Sequence, residues 1–446
     1  MYFAHMNAQI KGSGGASYRA PFIIVTSLFF MWGFITVMVD ALIPRLKDVF
    51  ELTLLQAGLV QFAWFAAYGL ISIPGGNLIE RIGYKRGILT GLGLASLGCL
   101  LFYPAAATRM YPLFLIALFV VAGGITILQV AANPYISVLG EPEKASSRLN
   151  LAQAFNSLGT TIAPIVAASF LLSDKILNSD QQGQLDEAAL DAYRLAEASA
   201  VQGPFVSLAI AFGVLAVLMG VSKLPRILGG TSQGGYRAVL QNKRLVYGAI
   251  GIFVYVGAEV AIGSYMVNYG IELGVDQVIR ESAVLSSMAS IAASISGKSL
   301  AGMDTKGLIG ALLTFYWGGA MIGRFIGSFV MSRMAPQRIL GFFALCAAAM
   351  TILSVSTSGV MALLALLSVG FFNSIMFPTI FTLGISELGD LKPLGSGVLC
   401  TAIVGGAVIP PAVGGLADQF GFSLALILPV LCYFYIQYYA MRVARD

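Results

Sequence analysis

Apolar runs long enough to cross a bilayer recur along almost the whole chain, and this fixes the class of fold before any motif is read. They fall at 20–44, 57–79, 87–107, 111–139, 149–173 and 202–224, then at 245–270, 307–331, 337–357, 359–386, 393–417 and 421–443. A hydrocarbon core about 30 Å thick takes about 20 apolar residues per helix, and inside it only elements that satisfy their own backbone hydrogen bonds survive. With 58% of residues hydrophobic and 11% charged, against roughly a quarter charged in a soluble domain, no water-soluble core could hide the apolar surface. The expected fold is an all-α membrane protein of twelve transmembrane helices in two pseudo-symmetric six-helix bundles. Its divisions are a tail at 1–19, a first bundle at 20–224, a linker at 225–244 and a second bundle at 245–446.

The charges set the orientation. A net charge of +5 invites a nucleic-acid reading, but the Lys and Arg are scattered through loops between apolar runs. They concentrate on the side that carries both chain ends, while Asp and Glu concentrate opposite. The positive-inside rule then puts both termini in the cytoplasm, in what is expected to be a bacterial inner membrane. The tail carries Lys11 and Arg19, and the run after it is too long and lacks the small-residue pattern of a cleaved signal peptide. The basic, Gly/Ser-rich linker reads as a flexible tether that suits anionic headgroups. Residues 174–201 and 271–306 read as external segments, the second with room for a short surface helix.

Internal repetition supports two halves. Pro134-Tyr-Ile-Ser-Val-Leu-Gly140 answers Pro378-Thr-Ile-Phe-Thr-Leu-Gly384, and Gly159-Thr-Thr-Ile-Ala-Pro164 answers Gly405-Gly-Ala-Val-Ile-Pro410. Two related bundles imply a ligand site at their interface near the bilayer midplane.

The loop Gly76-Asn-Leu-Ile-Glu80-Arg81-Ile-Gly83-Tyr-Lys85-Arg86 resembles the signature loop of the major facilitator superfamily. The resemblance implies the major facilitator fold and assigns the loop to conformational switching: Gly76 for close packing, Gly83 for a tight turn, Glu80 and Arg81 for a charge network that closes one end. A more specific resemblance lies in Met31-Trp32-Gly33-Phe34, Asp40-Ala-Leu-Ile-Pro44, Ala131-Ala-Asn133-Pro134, Arg148-Leu-Asn150-Leu-Ala-Gln153-Ala-Phe-Asn156-Ser-Leu-Gly159 and Tyr255-Val-Gly-Ala-Glu259. Together these are similar to the fucose–galactose–hexose symporter family, whose members take up monosaccharides with a coupled cation. Fucose-type members carry glutamate where this chain has Gln129 and glutamine where it has Glu259. The stretch Gly257-Ala-Glu259-Val-Ala-Ile-Gly263-Ser264 is closer to glucose/galactose-type and amino-sugar-type members. The resemblance therefore implies a hexose or amino sugar, with L-fucose:proton symport as the alternative.

Charge inside a span costs about 2.5 to 3.5 kcal/mol on insertion scales, so it marks a pathway or a pair. Asp40, Glu259 and Arg324 are the three such charges. Asp40 matches the family's cation-linked aspartate, or stands wet at a helix end beside Pro44. Glu259 lies about 22 Å along a helix from Arg244, beyond reach of the surface, and either binds H⁺ or Na⁺, accepts sugar hydroxyls, or ties helices together. Arg324 lies about 13 Å from the loop residue Arg333, as a gate, a structural tie or a snorkelling cation.

Sugars need amides and carboxylates for neighbouring hydroxyls and aromatic faces for their C–H surfaces. Gln129, Asn133, Gln153, Asn156, Asn268 and Asn373 supply amides, with Gln129 and Asn156 ranked first, and Tyr255, Tyr265, Tyr316 and Trp317 supply faces. Each amide has the competing role of interhelical tie, and each aromatic that of packing or interface anchor.

Other chemistries lack support in the residues. His5 is the one histidine, and Cys99, Cys346, Cys400 and Cys432 show no metal or disulfide spacing, so no metal is expected. Gly297-Lys298-Ser299 has Ala292 where a phosphate loop requires glycine, which removes an ATP site. No nucleophile–base pair suggests an enzyme, and sparse buried charge in a two-half repeat argues against a channel. The expected working form is a monomer with no cofactor beyond the coupling ion.

Overall fold

The computed structural model describes residues 19–50, 54–171, 184–225, 234–295 and 303–445. Residues 1–18 of the tail, residues 226–233 of the linker and Gly297-Lys298-Ser299 lie outside them. Among the described residues twelve long helices follow one another: α1 (Arg19–Phe50), α2 (Leu54–Ile82), α3 (Tyr84–Thr108), α4 (Tyr111–Val138), α5 (Ala145–Leu171), α6 (Glu187–Val221), α7 (Lys243–Glu272), α8 (Thr305–Met331), α9 (Pro336–Ser356), α10 (Gly359–Ile385), α11 (Gly389–Phe420) and α12 (Phe422–Val443). Eleven are long and apolar enough to cross a membrane among the described residues. The other is α5, whose first half carries Ser146, Ser147, Arg148, Asn150, Gln153 and Asn156. The start of α1 and the end of α12 lie on the same face, called here the base.

The elements depart from expectation at four places. Helix α6 begins at Glu187 rather than near 202, because Asp186 accepts from Ala189 N at 2.7 Å and caps a polar extension of the apolar run. The linker is not simply a tether: Gly235–Gln241 form a helix, and Val239 is fully buried in the core. Segment 271–306 holds two short helices, Val275–Glu281 and Ala283–Ile295.

The fourth departure is in α10, which divides into Gly359–Asn373 and Met376–Ile385. Pro378 has no N–H to offer the carbonyl four residues earlier, which belongs to Ser374. Pro134, its counterpart in the repeat, strips a partner from Val130 in the same way, although α4 stays continuous. Both freed carbonyls are taken up by side chains: Ser396 Oγ donates to Val130 O at 2.9 Å, and Arg324 Nε donates to Ser374 O at 3.0 Å.

The repeat is also visible in packing. A methyl group on Gly159 of α5 would strike the Phe30 carbonyl of α1, and one on Gly405 of α11 would strike the Phe253 carbonyl of α7. Each half thus crosses its first and fifth helices at backbone contact through equivalent glycines. At the crossing in the first half, Asn156 Nδ2 donates to Phe29 O at 2.9 Å, across from Gly33. Gly83, the one residue between α2 and α3, takes φ of 81°, the conformation a turn this short demands.

Candidate functional site

The halves meet along two seams, α2 with α11 and α5 with α8, and the second climbs from the base towards mid-membrane. At the base Ser146 and Thr382 hydroxyls lie 2.6 Å apart, Ser147 Oγ donates to Ser328 O at 2.7 Å, and Ser328 Oγ donates back to Ser147 O at 2.8 Å. One turn higher Asn150 Nδ2 donates to Thr379 Oγ1 at 3.2 Å. Phe155 and Phe325 then pack edge to face at 5.7 Å. Above them Arg324 of α8 donates through Nη1 to Ser157 Oγ of α5 while its Nε holds Ser374 O. Arg324 therefore joins the break in α10 to the other half.

Beside Arg324 lies a polar cluster in the second half. Glu259 on α7 is half-buried and interacts electrostatically with Arg324. Tyr316, fully buried, donates from its hydroxyl to the Glu259 main-chain carbonyl at 3.4 Å and accepts from Asn373 Nδ2 at 2.8 Å. The Tyr255 hydroxyl approaches the Glu259 carboxylate from one turn away, and the Tyr433 hydroxyl approaches Asn373. Neither closes a hydrogen bond of full geometry, and Asn373 Oδ1 and Ser374 Oγ also lack a partner among the described residues. Buried polar atoms that stay unpaired cost about 1 to 3 kcal/mol each, and four of them gather in this cluster: the Tyr255 and Tyr433 hydroxyls, Asn373 Oδ1 and Ser374 Oγ.

The first half contributes a smaller polar patch. Gln153 Nε2 reaches Asn133 Oδ1 at 3.4 Å, which leaves Asn133 Nδ2 unpaired, and the half-buried Gln129 has an unpaired Oε1. Asn156 belongs to the α1–α5 crossing, and its amide nitrogen is already committed to Phe29.

Other sequence candidates stand apart. Asn268 is exposed near the far end of α7. Trp317 is 45% exposed and packs at right angles on Tyr316, 5.0 Å between centroids. Tyr265 packs on Phe422 near the far face. Asp40 falls on α1, and its side chain lies outside the described residues. At the base, Gly76 is buried, Glu80 half-buried and Arg81 exposed.

Sequence reasoning missed Ser157, Tyr433 and the Ser146, Ser147, Ser328, Thr379 and Thr382 hydroxyls. Only Ser157 carried a signal, as the neighbour of Asn156 in the fifth-helix motif.

Residues 21–409 match the Major Facilitator Superfamily. The chain is 45% identical over 435 residues to a glucose/galactose transporter of Brucella abortus, covering 96% of this chain and 95% of that one. It is 35% identical over 427 residues to the L-fucose-proton symporter of Escherichia coli, covering 94% and 91%. A crystal structure of the Escherichia coli fucose:proton symporter superposes with a TM-score of 0.84 at 33% identity, covering 96% of this chain and 99% of that one. A second crystal structure of the fucose:proton symporter, in the outward conformation, gives 0.84 at 34% identity with the same coverage.

Proposed function

Because the chain belongs to the major facilitator superfamily, and within it to the fucose–galactose–hexose symporter family, we propose that it imports a glucose- or galactose-type hexose or an amino sugar together with H⁺ or Na⁺. It is an integral membrane sugar transporter and not an enzyme. The observation that carries the finer reading is the half-buried Glu259, ringed by unpaired hydroxyl and amide oxygens and connected through Arg324 to the opposite half. Higher identity to the glucose/galactose relative than to the fucose relative supports a hexose.

In this reading the base faces the cytoplasm of a bacterial inner membrane, and the tie of α5 to α8 closes that side. Sugar and ion enter from the far face. Glu259, Tyr255, Tyr316 and Asn373 hold the sugar from the second half, and Gln129, Asn133 and Gln153 from the first. Asp40 and Glu259 carry the coupling ion. Asn156, Asn268 and Trp317 keep a supporting place in the site: Asn156 through its remaining oxygen, the other two along the entrance. The base contacts then part, and the load leaves inward. The protein works as a monomer, without ATP.

Purified protein in liposomes, offered labelled sugars under separate pH and Na⁺ gradients, tests this reading. Uptake is expected to saturate, to show counterflow and to be inhibited competitively by one hexose class. Uptake that rises linearly with concentration and lacks counterflow would replace the carrier with a channel.

Gly76, Glu80, Arg81, Gly83 and Arg324 form the switching elements. Arg81→Ala is expected to slow net transport several-fold, about the effect of a 1 kcal/mol change in a barrier, while equilibrium sugar binding stays within a factor of two. A large loss of affinity at normal turnover would move Arg81 from the switch to the site.

A further inference from the structure

One side chain at the junction of the two halves comes from neither bundle. Helix Gly235–Gln241 of the linker is joined to α7 through Asn242, whose side chain accepts from Leu245 N at 2.9 Å. Val239 anchors this helix in the core. From it Tyr236 reaches across to the first half and donates from its hydroxyl to Ile73 O of α2 at 2.6 Å. The hydroxyl arrives where α2 and α11 cross. A methyl group on Gly76 would lie 2.6 Å from it and 3.0 Å from Pro393 O, and one on Gly397 would lie 3.1 Å from it and 2.7 Å from Ser72 O. Two glycines, one from each half, leave a slot that the tyrosine fills.

We propose that Tyr236 is a positioning residue for transport: a latch carried by the second half that bonds the first half only while the base is closed. It rests on the alternating-access reading above. Parting α2 from α11 must break the Tyr236–Ile73 hydrogen bond and empty the slot, so the linker biases the carrier towards its base-closed state. Burial, and secondarily the charge of Glu80, push the Tyr236 hydroxyl's pKa up, so it remains a proton donor throughout the physiological range.

Tyr236→Phe keeps the ring and removes only the donor. A neutral hydrogen bond sets the scale, and its loss is expected to raise the odds of the base-open state about three- to tenfold. Spin labels at the exposed base positions Arg86 and Arg338, in a cysteine-free full-length chain, read those populations by pulsed dipolar distance measurement at one fixed pH with no sugar or Na⁺ present. A failure of the substrate assignment would leave this readout intact. A larger long-distance population in the variant supports the latch, and an unchanged or smaller one overturns it.

A double-mutant cycle gives an independent measure. Gly76→Ala crowds the hydroxyl, so its effect on the populations is expected to shrink in the Tyr236→Phe background. Additive effects would mean that Tyr236 and Gly76 do not share the slot, and the proposal would fall.

Discussion

Glu259→Gln is expected to lose concentrative uptake while still exchanging labelled for unlabelled sugar across the membrane. Glutamine preserves shape and hydrogen-bonding capacity, so the sugar contacts proposed for α7 are expected to survive in part, with affinity weakened roughly tenfold through loss of charge-assisted bonds. What disappears is the alternation between a charged and a neutralised carboxylate. An unloaded carboxylate in a closing, dehydrated cavity is costly, and a bound ion removes that cost, so a carrier that reorients readily only when loaded runs on the gradient. A permanently neutral residue reorients with or without the ion and dissipates it. Arg324 beside Glu259 sharpens the contrast, because neutralising the carboxylate also changes what the guanidinium faces at the junction of the halves. The measurement is the accumulation ratio in liposomes under an imposed gradient, alongside exchange at equilibrium. Asp40→Asn is the companion variant. Concentration at the parent level by the double variant would leave coupling elsewhere in the chain.

Gly159→Val and Gly405→Val are each expected to cost the fold about 3 kcal/mol, the upper end for overpacking. At both positions the added carbon meets a main-chain carbonyl of the partner helix rather than a side chain that could turn away. The two variants should behave alike, since the repeat places them at equivalent crossings. Thermal unfolding in detergent followed by intrinsic fluorescence reads this directly. A near-parental midpoint in either would show that the crossing can widen without loss.

The spans were legible because hydropathy alone decides which segments can live in hydrocarbon. Eleven of the twelve helices begin and end within a few residues of the expected apolar runs. The departures have local causes that hydropathy does not register: a capped polar extension before α6 and the proline-linked break inside α10. The linker helix was hidden because its composition, rich in glycine and serine on one side, says nothing about where Val239 and Tyr236 dock. The neighbouring charges Glu259 and Arg324 stood out in the sequence because charge in a span is costly. Tyr433 was not, since a tyrosine among apolar residues looks the same whether it packs or points into a site. Asn156, ranked with Gln129 by its motif, sits at a helix crossing with its amide nitrogen bonded to Phe29. Its backbone neighbour Ser157 is the residue that meets Arg324.

The base contacts between Ser146 and Thr382, Ser147 and Ser328, Asn150 and Thr379, and Ser396 and Val130 are all hydroxyl or amide bonds. Each contributes about 1 kcal/mol, so together they fall within reach of the roughly 5.5 kcal/mol of differential affinity that inverts a two-state population. Bonds of this strength are ones that a single cargo can undo. They carry no formal charge, so mobile ions do not screen them. Swings of salt on the base side would therefore leave these particular fastenings at constant strength.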